Sequence, residues 1–203
     1  MEGRLERWWH DAGIAAPRLI GCELVRTLRG RVRRGRIVET EAYLPDDPAS
    51  HSFRGRTERN RAMFGPPATA YVYRIHQVLC FNVVTGPRGQ GEAVLIRAVQ
   101  PLEGEDLMAR ARAAATQGSR PPSGFGLTNG PGKLCQALSI TPRHDGQALL
   151  DPDAAPGLRL EIRPAVAEIR TSPRIGISKG VELPLRFFEA GNPWVSPGRP
   201  SAP

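Results

Sequence analysis

Glu39, Glu41 and Tyr43 alternate along RIVETEAYL at 36–44. In a strand, residues two apart share a face and stand about 7 Å apart. Two carboxylates and an aromatic on one face of an otherwise apolar strand leave two readings. Either the face is polar and exposed, or it is a pocket wall in which Glu41 acts as a base and Tyr43 packs on a flat ligand. The same spacing puts Tyr71 and Tyr73 together in TAYVYRI, so all three tyrosines fall between 43 and 73. Such a pair is more often core packing than a binding box, yet aromatic platforms beside arginines suit a nucleobase. His51, in the ASHS loop, is either a ligand or phosphate contact or an ordinary loop histidine. At i, i+2 on one strand, Glu39 and Glu41 would flank nothing, which excludes a glycosidase carboxylate pair.

Arginines crowd this segment. Six occupy 26–36 (Arg26, Arg29, Arg31, Arg33, Arg34, Arg36) and four occupy 54–61 (Arg54, Arg56, Arg59, Arg61). Each run is either a solvated face or a set of phosphate contacts, and their position around the tyrosines favours the second. Lys and Arg number 28 against 20 Asp and Glu, a formal charge of +8, and only Lys133 and Lys179 are lysines. Arginine's forked, weakly hydrated head suits a polyanionic partner, while a bias towards arginine codons accounts for most of the Arg/Lys ratio.

Other chemistries fail on spacing. GLTNGPGKL has Leu127 where a phosphate loop needs its first glycine, and Leu134 where the hydroxyl should follow the lysine. The zinc-deaminase pattern is missing. Cys22, Cys80 and Cys135 are scattered, so they are expected as small buried hydrophobes with no metal and no cofactor. No apolar run approaches 18 residues, and Glu2, Glu6 and Asp11 interrupt the first twenty. The expectation is a cytoplasmic protein with no membrane contact.

Positioning these residues takes one domain over 1–203, with a core punctuated by 22 glycines and 20 prolines. A helix is expected over 1–16, pinning Trp8 and Trp9, followed by strands within 19–44 around a basic turn. Beyond a long loop at 45–67, TAYVYRI and VLCFNVV form a hairpin, and EAVLIRAV adds a strand. A helix follows from Glu103 to about Thr116, a shorter one starts near Lys133, and two or three strands occupy the last fifty residues. The tail at 198–203 should fray.

With these blocks in order, the chain resembles the alkyladenine (3-methyladenine) DNA glycosylases. RIVETEAYL, ASHS, TERNRAMF, the Y-V-Y hairpin, VLIRAVQPLEG, GPGKLCQAL and GNPWVS carry the likeness from about 17 to 197. The resemblance implies an α+β fold: a single mixed domain with a curved antiparallel sheet, peripheral helices and a protruding hairpin that probes DNA. It implies hydrolysis of the N-glycosidic bond of alkylated purines in double-stranded DNA, without metal or cofactor, by a monomer. Deaminated and etheno purines remain open lesion classes.

By the same resemblance, Glu41 is the general base and Arg97 helps to hold the water. Tyr43 and Tyr73 sandwich the flipped base, His51 contacts the extrahelical nucleotide, and Asn82 crowds the 2-amino group of guanine. His76 stands where a wedge tyrosine is usual, in a hairpin one residue shorter, so His76 or Gln77 fills the gap. Arg54, Arg56, Arg59, Arg61 and Lys133 are candidate phosphate contacts. A cation beside Glu41 should keep it ionised. The competing reading is a non-catalytic nucleic-acid-binding module on the same scaffold.

Overall fold

A computed structural model describes residues 9–117, 121–153, 157–164, 166 and 168–199. Strand β1 (Glu23–Leu28) turns through Arg29 and Gly30 into β2 (Arg31–Tyr43). Both turn residues have positive φ, 51° and 71°, the conformation that matches a two-residue turn to strand twist. The basic run expected as a turn is therefore mostly strand. Only Arg29 and Gly30 turn, because 31–36 pair residue by residue with β1.

The hairpin of β3 (Ala70–Ile75) and β4 (Val78–Thr85) forms as expected. With β5 (Glu92–Glu103), β6 (Leu158–Glu161), β7 (Ile169–Ser172) and β8 (Arg186–Glu189) it completes an eight-stranded antiparallel sheet. Its order is β3-β4-β5-β2-β1-β6, with β8 beside β2 and β7 beside β8. One edge of β2 thus changes partner along its length, pairing with β1 over 31–36 and with β8 over 39–41. On the other edge the register with β5 shifts near 37–40. Glu39 faces Ala98 and Thr40 faces Ile96, so Arg97 is the extra residue on β5. A bulge of this kind bends a strand and re-aims a side chain.

Helices α1 (Ala12–Leu19), α2 (Glu105–Thr116) and α3 (Pro131–Ala137) pack on the sheet. Within the stretch expected as a helix over 1–16, the described residues are helical from Ala12, and the helix continues to Leu19. Asp11 is its N-cap, its carboxylate accepting the Ile14 N–H at 3.0 Å. Trp9 is buried in the preceding turn, while Trp8 and the rest of 1–8 lie outside the described residues. Of the tail, 200–203 also lie outside them.

Alternation along the strands divides the sheet into two faces. Ile37, Ala42, Phe81, Val83, Val94 and Ile96 join the main core with Leu19 of α1, Met108 of α2 and Leu134 of α3. The smaller cluster of Ala62, Met63, Tyr71, Val84 and Ala93 underlies Tyr43 and Tyr73. All three cysteines are free and buried.

Candidate active site

The two glutamates of β2 meet one guanidinium. Arg97 Nε donates to Glu39 Oε1 at 3.0 Å, and Nη1 donates to Glu41 Oε2 at 3.2 Å. Both carboxylates are fully buried, which removes the exposed-face reading. Their surroundings differ. Glu39 accepts four donors: Arg97 Nε, Arg186 Nε at 2.7 Å, and the Ser196 hydroxyl and N–H at 2.8 and 2.7 Å. Glu41 accepts three: Arg97 Nη1, the Tyr43 hydroxyl at 3.0 Å and the Ile175 N–H at 2.7 Å. An ionised carboxylate has about four acceptor positions, two on each oxygen. Glu39 meets three donors on Oε1 and one on Oε2, whereas Glu41 meets two on Oε2 and one on Oε1. What separates them is that all the Glu41 donors come from residues lining the cleft described next, where a water can be a further donor, while Arg186 and Ser196 do not line it.

Burial moves the Glu41 carboxyl above the ordinary carboxylate value, against the opposing pull of Arg97, Ile175 and Tyr43. Arg97 favours the ionised form, as expected of a neighbouring cation, but desolvation is the larger effect. Arg97 is raised, since Glu41 and Glu39 outweigh its own desolvation.

In front of this pair lies a cleft of about 560 Å³, within the usual range for small-molecule sites. Tyr43, His51, Tyr73, Asn82 and Arg97 all line it, together with the 175–179 loop. Glu41 sits directly behind Tyr43, Arg97 and Ile175, each of which bonds it. Tyr71 and Tyr73 stand 5.3 Å apart, and the His51 ring meets Tyr73 edge-on at 4.3 Å. His51 Nδ1 and the Tyr71 hydroxyl share a hydrogen bond of 2.9 Å. Desolvation, then the Arg59 charge, lowers the His51 pKa and favours the neutral imidazole. Burial raises Tyr43 and Tyr73 well above the usual phenol value, so both keep their protons. Asn82 is buried, and its amide donates to the Tyr71 carbonyl at 3.0 Å.

His76 and Gln77 form the exposed hairpin tip, His76 with φ of 52°, a left-handed conformation that histidine adopts more readily than bulky residues. Ile75 and Val78 beside them are also exposed. The hairpin is seated closely on α3: a Cβ on Gly132 would lie 2.1 Å from Val78 Cγ1. Only glycine permits that approach.

The two arginine runs separate. Arg33 donates to the Ala137 carbonyl and Ser139, Arg34 pairs with Glu23 and Glu161, and Arg36 pairs with Glu189, while Arg29 and Arg31 at the β1–β2 turn are exposed. In the second run, Arg54 lines the cleft, Arg59 donates to the Arg74 carbonyl at 2.8 Å, and Arg61 lies 3.6 Å from Glu58. All four, Arg56 included, are exposed. The Lys133 ammonium donates to Asn129 at 2.7 Å, which ties its charge to its own loop.

Three site features escaped sequence reasoning. Ile175 supplies a backbone donor to Glu41, which no side-chain pattern announces. Arg174 packs its guanidinium carbon 4.7 Å from the Tyr43 ring centre. Asn60 ties the loop behind His51, donating to the His51 and Gly55 carbonyls at 2.8 and 3.0 Å and accepting from Thr57. Only the last had a local signal, because Thr and Asn three apart commonly close such turns.

Comparison with known proteins adds a finding to this geometry. The profile of the family described as Methylpurine-DNA glycosylase (MPG) matches residues 7–193. A protein of Methanoculleus marisnigri named "Putative 3-methyladenine DNA glycosylase" is 48% identical over 92% of this chain and 94% of its own length. Relatives of the same name from Rhodopirellula baltica and Carboxydothermus hydrogenoformans are 47% and 42% identical. They cover 90% and 92% of this chain, and 78% and 94% of their own lengths.

Proposed function

The chain belongs to the methylpurine-DNA glycosylase family, and from that membership we propose that it hydrolyses the N-glycosidic bond of damaged purines in duplex DNA with Glu41 as the base. One observation carries the assignment: of two buried carboxylates sharing Arg97, only Glu41 has all its donors among the described residues, three of them, on residues that line the cleft. A water is the natural fourth.

A glycosidic bond inside the base stack is out of reach, so the damaged nucleotide swings out at a cost of about a few kcal/mol. Tyr43 on one side, and Tyr73 with His51 on the other, offer it flat apolar walls. Asn82 limits the room at the purine 2-position. His76 and Gln77, with Ile75 and Val78 beside them, fill the vacated stack. The exposed arginines at 54–61 hold the backbone, whereas Lys133, tied to Asn129, contributes less.

In the hydrolysis, the water oxygen bonds to C1′ of the sugar. The N-glycosidic bond breaks with its electron pair going to the purine, and the water proton goes to Glu41. Arg97 holds the carboxylate in place, and the ionised Glu41 stabilises positive charge developing on the sugar. A purine alkylated at N3 or N7 carries a positive charge, so it stacks favourably on tyrosine faces and leaves as a neutral base. Neutral lesions such as hypoxanthine and ethenoadenine lack that activation.

The test is chromatography of bases released from alkylated genomic DNA and from duplexes carrying hypoxanthine or ethenoadenine. Glu41→Gln should lower release by about 10³-fold, within the range for a lost general base, while lesion binding persists. Undiminished release by Glu41→Gln would overturn the assignment. Binding by the native protein without any release would instead point to the non-catalytic binding module.

A further inference from the structure

Behind Tyr43 sits an ion pair that the reaction just described does not use. Arg174 is completely buried and grips both carboxylate oxygens of Asp47, with Nη2 2.9 Å from Oδ1 and Nη1 on Oδ2. Arg174 Nη1 also donates to the Ala42 carbonyl at 3.0 Å. Asp47 Oδ1 accepts the Ala49 N–H at 3.0 Å, two residues before His51. The guanidinium carbon lies 4.7 Å from the Tyr43 ring centre. Tyr43 lines the cleft and Arg174 does not, so the guanidinium covers the inner face of the ring and the outer face is left to a ligand.

Resting on the glycosylase reading, we infer that the Asp47–Arg174 pair determines lesion specificity by setting the charge behind Tyr43, and so how well the cleft takes a cationic rather than a neutral purine. A purine stacked on the outer face stands roughly 8 Å from the guanidinium, with one aromatic ring between them. A bare cation at that distance in a dry site repels a cationic base and hardly affects a neutral one. Asp47 cancels that charge through both oxygens. The outer face of Tyr43 then presents its negative quadrupole to an alkylated purine. Neither residue touches the substrate; both are positioning residues acting through Tyr43.

The experiment measures dissociation constants for duplexes carrying cationic 7-methylguanine or neutral ethenoadenine, in Glu41→Gln protein so that nothing is excised. Adding Asp47→Asn should weaken 7-methylguanine binding about tenfold relative to ethenoadenine. Arg174→Met should move that ratio the other way, and the Asp47→Asn/Arg174→Met double variant should restore it to within about threefold. A pair that only holds the fold would weaken both lesions in parallel, and that result overturns the inference. Circular dichroism and thermal melting identify a variant that fails to fold. Should Asp47→Asn fail, Arg174→Met and the double variant, which has no unpaired buried charge, decide the matter. An unchanged ratio in a folded Arg174→Met protein overturns the inference. If the Glu41→Gln parent prefers neither lesion over undamaged duplex, the glycosylase reading itself fails and takes this inference with it, a result distinct from parallel loss.

Discussion

Two regions of β2 use the same residue types to opposite ends. Where it pairs with β1, Arg34 lies 2.6 and 2.7 Å from Glu23 and Glu161, and Arg36 lies 2.8 Å from Glu189. Glu39 is likewise enclosed, by Arg97, Arg186 and Ser196. Around the cleft, Glu41 keeps an acceptor position open, and Arg54 and Arg56 have no protein partner among the described residues. Scaffold and candidate site therefore differ in how completely each polar group is satisfied, not in which residues are present. A saturated group contributes stability, and an unsaturated one is available to a substrate.

The sharpest way to break this contrast is to neutralise the two glutamates in turn. Glu41→Gln should cost about 10³-fold in base release with no loss of stability, because Arg97 keeps Glu39 as its partner. Glu39→Gln should do the reverse. It leaves Arg97 and Arg186 short of a buried counter-charge, at about 3–5 kcal/mol of stability, measured by denaturant unfolding. Equal effects of the two substitutions on stability and on release would erase the distinction.

The pH dependence follows from the same difference. In the proposed reaction Glu41 acts as a base only when ionised, and burial raises its pKa. Release should therefore fall, as the pH is lowered, at a value above the ordinary carboxylate range, and this limb should vanish from the residual activity of Glu41→Gln. The stability effect has the opposite sign. A carboxyl with a raised folded pKa binds more protons folded than unfolded, so the native protein loses stability as pH rises from the unfolded towards the folded pKa. Relative to the native protein, Glu41→Gln should gain stability across that interval in denaturant titrations.

The smallest effects separate the arginine runs. Arg54→Ala should lower duplex affinity severalfold and reduce the slope of log affinity against log salt by about one. Arg34→Ala should leave that slope unchanged and cost about 1 kcal/mol of stability. Matching salt slopes for both variants would mean that the runs are not divided as their partners imply.

Much of this was legible before any coordinates. Period-two spacing put Glu39, Glu41 and Tyr43 on one wall, and the hairpin joining Tyr73 to Asn82 followed from two short apolar runs a few residues apart. The helix Ala12–Leu19 announces its start through the Asp11 cap. The arginine run at 26–36 was ambiguous for a deeper reason. Its partners Glu161 and Glu189 are more than 120 residues away in sequence, so no local pattern can tell a solvated cation from one already paired.

By itself, the sequence determined the residue types, their alternation and the family, because these depend on local spacing and ordered motifs. Only the tertiary structure decided which carboxylate stays open. The β5 bulge aims Arg97 between the glutamates, Ser196 and Arg186 arrive to close Glu39, and the Ile175 N–H reaches Glu41 from a loop 134 residues on. Which donors converge from distant segments, and which carboxylate they leave facing the cleft, is settled only once the chain has folded.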